Sequence, residues 1–420
     1  MGHMRRAGRV AVVSILLAAC SANPSTSPPT TRAVAPIETT VDTTVALPVP
    51  VAPVEVIPGM PPVVDPTNLY SEAAAGKMSP AVENAKSYVY VPSDTDGTIT
   101  VIDQATMEIV REFPSGGKLT QHVVSSHDMK TLYANVSGAN KLLAIDPTTG
   151  LPGRTLQAEA PYNLYFTPDG TRAVVMAERV DIVAFYRLPD WHKVASLKVP
   201  CTSQTPGVSF GGVNHADWSA DGRYFLATCE FSGDMIRIDT LTMTVTGQVH
   251  LKDGAMPQDV RIMPDGKHFF VADMNYAGVW IVDGDTMTVN GFIPTGVGAH
   301  GIYLSRDASV VYVANRGRLM DDEKRRSSPG DGSVSVIDWR TNTVQATWTI
   351  PSGGSPDMGG VSADGTTLWL SGRFDKEVYA FDTTNGALRG RIKLKHGQPH
   401  GLLVWPQPGR YSLGHTGITR

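Results

Sequence analysis

The sequence predicts an all-β fold, a seven-bladed β-propeller of four-stranded blades whose ring is closed by the C-terminal strand. Three observations predict it. A strand–turn–strand unit recurs about every forty residues. An Asp-Gly pair supplies the turn in four of the units. A third strand ending near an aspartate then follows, and after it a fourth.

The units align as "YNLYFTPDGTRAVVMAE", "NHADWSADGRYFLATCE", "QDVRIMPDGKHFFVADM", "AHGIYLSRDASVVYVAN" and "PDMGGVSADGTTLWLSG". Asp169-Gly170, Asp221-Gly222, Asp265-Gly266 and Asp364-Gly365 form the turns. Glycine accepts the positive φ required there, and aspartate bonds its own backbone. Third strands such as "TITVID", "MIRID" and "VYAFD" end at Asp103, Asp239 and Asp382. No helical period of useful length appears after about residue 85.

These residues carry a family likeness. "VYVAN", "GSVSVID", "TNTV" and "VSADGTTLWLSG" resemble the YVTN-type β-propeller repeats of exported bacterial proteins and lipoproteins. The resemblance implies a propeller from Ser87 onward and no particular activity, because that scaffold hosts enzymes, binders and adhesins alike.

In chain order, residues 1–19 read as a signal peptide: Arg5, Arg6 and Arg9 precede the short apolar run Val10 to Ala19. The run ends in "LAAC", which resembles a lipobox and implies cleavage before Cys20 and lipidation, palmitate included, of that cysteine. The alternative is a plain signal peptide with a chance cysteine. Residues 20–60 are rich in Pro, Ser and Thr and form a tether that stands the rest off a membrane. Residues 61–86 are an N-terminal extension, and 87–420 the propeller.

"SYVYVPSDTDGTITVID" begins at a second strand, so "PHGLLVW", Pro399 to Trp405, is its missing inner strand. "RYSLGHTG" also reads as a second strand; it is expected to pack beside the closure, with a partial eighth blade as the alternative.

Antiparallel topology brings the start of each inner strand and the end of each second strand to one mouth of the channel. The seven inner-strand heads carry His122, Asn163, His215, Asp259, His300, Asp357 and His400. Four of the chain's eleven histidines fall in this ring. Glu178, Glu230, Arg316 and Arg373 end second strands at the same mouth, and His415 joins them if the tail packs as a second strand. Two long loops, Pro200 to Gly212 and Arg316 to Gly332, open there.

Neutral imidazoles with carboxylates suit zinc, iron or copper, and channel histidines in some exported propellers hold copper or haem-type groups. His122, His215, His300 and His400 are therefore candidate ligands for a metal or tetrapyrrole. Arg316 and Arg373 could instead fork an anion, or tie neighbouring blades through Glu178 and Glu230. The same polar heads could equally serve only to bond loop backbone and water. Cys201 and Cys229 fall at this mouth, and an exported chain favours a disulfide over free thiols or metal ligation.

Two motifs do not function. "GVGAHG", Gly296 to Gly301, has no helix after it, and "GVSFG" around Ser209 has no strand-to-helix elbow. Removing residues 1–19 takes three arginines and no acid from a formal charge of −4, leaving −7 and no basic footprint for nucleic acid. The leading expectation is a monomeric, lipid-anchored propeller on the extracytoplasmic face of the membrane, binding a small ligand or an envelope protein at its mouth. A metal- or tetrapyrrole-dependent oxidoreductase and a structural envelope protein are the alternatives.

Overall fold

The computed structural model describes residues 51–317, 331–395 and 397–420. The expected signal peptide, Cys20, most of the tether and most of the 316–332 loop lie outside them. Among the described residues no helix is long and apolar enough to cross a membrane.

Seven antiparallel sheets form the seven blades. Their inner strands are Leu403–Trp405 (blade one), Thr120–Ser125 (two), Asn163–Phe166 (three), Val213–Trp218 (four), Pro257–Ile262 (five), Ala299–Leu304 (six) and Pro356–Val361 (seven). Three further strands pair outward from each. Burial follows that order. Every residue of Val213–Trp218 is buried, whereas the outermost strand of the same blade, Val245–His250, alternates between exposed and half-buried. Inner strands are covered on both faces, so only outer ones show a period of two. Large side chains such as Phe185, Trp218 and Phe225 fill the space between blades three and four.

The recurring aspartates are turn residues. Asp239 Oδ1 accepts the N–H groups of Leu241 and Thr242, and Asp146 Oδ1 that of Thr148. In the Asp-Gly turns, Asp169, Asp221 and Asp364 accept the N–H two residues on. These bonds relieve turn donors that the ladder leaves unpaired.

The ring closes as the sequence predicts, with Leu403–Trp405 beside Tyr88–Pro92 in the register Tyr88↔Trp405, Val89↔Val404 and Tyr90↔Leu403. The N-terminal segment crosses the face that carries the Asp-Gly turns. Leu69 N–H bonds Pro264 O at 2.9 Å and Tyr70 Oη bonds Ile262 O at 2.8 Å.

The tail departs from expectation. It runs beside the closure, where Gln407 Nε2 bonds Val404 O at 2.6 Å, but forms neither a second strand there nor an eighth blade and turns into the channel from the Asp-Gly face. Gln407 Nε2 bonds Val361 O at 3.2 Å, and Ser412 N–H bonds His127 O at 3.0 Å. Ser412–Gly414 pairs with Ile418–Thr419, and Gly414 sits opposite Tyr165 on the inner strand of blade three. "RYSLGHTG" alternates like a strand, yet Gly414 adopts φ +90° and a Cβ there would meet Leu164 O at 2.4 Å. That close approach lets the tail fold back inside the ring instead of extending along it.

Candidate functional site

A repeated β-bulge builds the site. In five inner strands the pairing skips two residues after the first: Gln121-His122, Asn214-His215, Gln258-Asp259, His300-Gly301 and Asp357-Met358. A bulge bends its strand and redirects side chains, here into the channel. Counted from the bulge, His122, His215 and Asp259 occupy the second skipped position, while His300 and Asp357 occupy the first. A bridge sets Gly401 level with His122, so His400 falls one step above, with His300 and Asp357. The predicted ring is therefore staggered, its heads offset by one step while their side chains meet in one channel. None of the seven head residues is more than 1% exposed, so they line a closed channel and not an open mouth.

One group of contacts centres on Asp357. Its Oδ1 accepts Arg316 Nε at 2.5 Å and lies 3.3 Å from His300 Nδ1; its Oδ2 is 2.6 Å from His400 Nδ1. Burial alone would raise this carboxyl, but Arg316, His300 and Arg373 hold it below the usual range. His400 Nε2 meets Tyr162 Oη at 3.0 Å, and His300 Nδ1 lies 2.9 Å from Met358 Sδ.

Towards the mouth, Arg373 reaches Asp94 Oδ2 at 3.1 Å, and Asn214 Nδ2 donates to Glu230 at 2.8 Å. Burial and the neighbouring Glu230 drive Glu178 well above the ordinary carboxyl range, so Glu178 keeps its proton and donates it to Glu230. Arg316 and Arg373 are thus engaged by Asp357 and Asp94. Met274 Sδ accepts Arg316 Nη1 at 3.8 Å. Cys201 and Cys229 are joined by a disulfide that pins the 200–212 loop, and Asp181 Oδ1 accepts the N–H groups of Gly211 and Gly212.

The second group is His122, Asn163, His215 and Asp259, completed by His415 from the tail. His415 Nε2 is 3.0 Å from Asp259 Oδ1, and its Nδ1 is 2.8 Å from Asn163 Nδ2. His215 Nδ1 lies 4.0 Å from Asp259 Oδ1. One ligand atom from each of His215, Asp259 and His415 falls within 4.8 Å of the others. His122 packs against them, its ring centroid 5.5 Å from His215 and 5.3 Å from His415. Among the described residues neither nitrogen of His122, nor Nε2 of His215, has a hydrogen-bond partner, although all three are buried.

Electrostatics keeps these rings neutral. Burial, then the neighbouring imidazoles and Arg373, hold His122 well below the ordinary imidazole range. Burial and His415 bring His215 down to about 3. Burial also lowers His415, against the pull of Asp259. Burial would raise Asp259, but Arg261 at 3.2 Å wins and keeps it ionised. Neutral imidazoles offer lone pairs, and a carboxylate brings negative charge. That is a transition-metal donor set.

The four histidines singled out by the sequence come together, with neighbouring ring centroids 4.8–5.8 Å apart from His122 through His215 and His300 to His400 and back, but their partners differ. His300 and His400 are taken up by Asp357, whereas His122 and His215 join Asp259 and His415. Tyr162, Met358 and Asp94 also belong to the site and were not singled out. His415 was foreseen only on condition of a second-strand tail, and the structure delivers it by another route. One signal was available: once Trp405 has closed the ring, the next fifteen residues can lie only in the channel or outside it.

The sequence model of the YNCE-like beta-propeller family matches residues 47–408. The chain belongs to that family. No curated protein matches the chain. Among solved structures, this YNCE-like propeller is similar to a functionally unknown protein from Desulfotomaculum acetoxidans, at 16% identity and TM-score 0.59, over 76% of this chain and 99% of that one. It is also similar to the dihydro-heme d1 dehydrogenase NirN in complex with DHE, at 14% identity and TM-score 0.53, over 76% and 75% of the two chains. Hydrazine synthase from Kuenenia stuttgartiensis aligns at 16% identity and TM-score 0.53, over 66% and 87%. At these identities the likeness concerns the propeller alone.

Proposed function

We propose that this YNCE-like propeller is an exported, lipid-anchored protein that holds one transition-metal ion in its channel, at His215, Asp259 and His415 with His122 beside them. The observation that carries this reading is the set of unpartnered imidazole nitrogens, two on His122 and one on His215, buried beside an ionised Asp259. Buried polar atoms without partners cost about 1–3 kcal/mol each, so an ion that takes the lone pair of one His122 nitrogen and of His215 removes part of a standing penalty. Zinc ligands at about 2.0–2.1 Å in tetrahedral array stand about 3.3 Å apart, so the three ligand atoms, within 4.8 Å of one another, would draw in on an ion. Imidazole centroids 4.8–5.8 Å apart leave room for an ion and not for a planar macrocycle.

Export is supported by the basic and apolar N-terminus, the lipobox-like "LAAC" and the extended tether. The Cys201–Cys229 disulfide suits an oxidising compartment. The finer YVTN-type assignment rests on the repeats "VYVAN" and "GSVSVID".

The test is the metal content of the mature chain purified without chelator. About one zinc or copper per chain, lost in His215→Ala, is expected. Protein that arrives empty and takes up neither zinc, copper nor nickel would sink the proposal.

A further inference from the structure

The C-terminal tail supplies a ligand to the proposed centre, and this has a consequence for both. Residues 406–420 are held in the channel by few backbone bonds. Among the described residues Gly414 opposite Tyr165 is the one strand pairing with a blade, supplemented by the Ser412 N–H to His127 O bond. Arg420 Nη2 anchors the far end on Asp217 Oδ1 at 2.7 Å. Between these points His415 reaches furthest in. Its backbone has φ +30°, a conformation L-residues seldom adopt, and its side chain is fully buried against Asn163 and Asp259.

We propose that the tail is a metal-dependent latch: an ion bound by His215, Asp259 and His415 fastens residues 406–420 in the channel, and the seated tail in turn encloses the ion. The inference rests on the metal reading above. His215 and Asp259 stand on blades four and five, and His415 comes from a segment outside the ring. An ion shared by the three adds to the Arg420–Asp217 pair a tie between the tail and two blades at once. Without the ion, His415 Nε2 keeps only Asp259. With it, release of the tail removes a ligand, so ion affinity and tail docking are reciprocal. The unpartnered nitrogens of His122 lie on the same side of the channel and leave the ion another donor when it arrives.

The experiment is amide hydrogen exchange of the full mature chain, with and without added Zn2+, alongside Zn2+ binding by the wild type, His415→Ala and His415→Gln. With Zn2+ at 100 times its Kd, exchange at Tyr411, Ser412 and Gly414 should slow by up to about 100-fold, while the outer strands stay unchanged. Both variants should bind Zn2+ about ten-fold or more weakly and lose the metal-dependent slowing. His415→Gln keeps a hydrogen-bonding side chain and separates ligand loss from misfolding. Zn2+ that binds the wild type without slowing tail exchange overturns the latch and leaves the metal centre standing; Zn2+ that binds both variants at wild-type affinity overturns the latch and removes His415 from the centre. A wild type that binds no Zn2+ overturns both.

Discussion

Arg316, at the end of a second strand in blade six, and Asp357, at the head of blade seven, form a buried ion pair with Nε 2.5 Å from Oδ1. His300 and His400 approach the same carboxylate from blades six and one. One acid therefore ties three blades around the channel. Asp357→Ala should destabilise the protein by about 3–5 kcal/mol, because it strands a buried guanidinium. Pairing it with Arg316→Met should recover much of the loss. Urea midpoints at constant m decide this; an additive double variant would show that the pair is not coupled.

His122 offers a contrast, since it has no hydrogen bond to lose. In metal-free protein, His122→Phe should leave stability unchanged or raise it, while weakening Zn2+ binding about ten-fold. Calorimetric titration and thermal melts on the same samples read both quantities. A large loss of stability in the metal-free state would mean the ring has bonds not seen here.

Gly401 is level with His122, and a Cβ on it would meet His122 Nδ1 at 1.9 Å. Gly401→Ala should cost about 1–3 kcal/mol by overpacking. His122→Ala in the same chain should relieve most of that cost, which a double-mutant cycle measures.

Acid should unfold the metal-free protein early. His122, His215, His300, His400 and His415 all titrate below 6.5 in the fold and near 6.5 when unfolded. Below that pH the unfolded chain binds more protons, so stability is lost as pH falls, for His215 down to about 3. Each such imidazole contributes a slope of about 1.4 kcal/mol per pH unit while the difference is complete. Glu178 has the opposite sign: it holds its proton in the fold and loses it near 4.5 when unfolded, so its contribution declines as pH rises. Five imidazoles outweigh it between 4.5 and 6.5. Denaturation midpoints of chelator-treated protein should fall steeply from pH 7 to pH 5, and a flat profile would contradict the neutral, buried rings.

The disulfide spans 28 residues of sequence, for which loop-closure entropy suggests about 3–4 kcal/mol. Cys201→Ala with Cys229→Ala should lower stability by about that amount and free the 200–212 loop to proteolysis. Equal protease resistance would show that Asp181 and backbone bonds such as Gln204 N–H to Phe231 O hold the loop.

The blades were legible because each repeats the same turn chemistry: Asp221 and Asp364 are recognisable as turn residues from sequence and behave as such. The polar character of the heads was legible too. Their depth was not, because a bulge leaves no mark in a single sequence. Aligning His300 with His215 matches residue types but misses that Ala299 and Val213 are the paired positions. The glutamates at 178 and 230 looked like partners for arginine; Asp357 and Asp94 take that place, and burial drives the glutamates to share a proton. The tail was hardest, since alternation in "RYSLGHTG" suggests a strand in the ring while Gly414 diverts it.

Ring closure also sets a schedule. Trp405 O accepts Gln104 Nε2 across 301 residues, so the first blade stays incomplete until nearly the whole chain has been delivered. Contacts of such separation form late, and until then the edge of Tyr88–Pro92 stands open to other strands. His415 follows the closing strand in sequence, so the blades and their channel histidines are specified before the segment that plugs the channel.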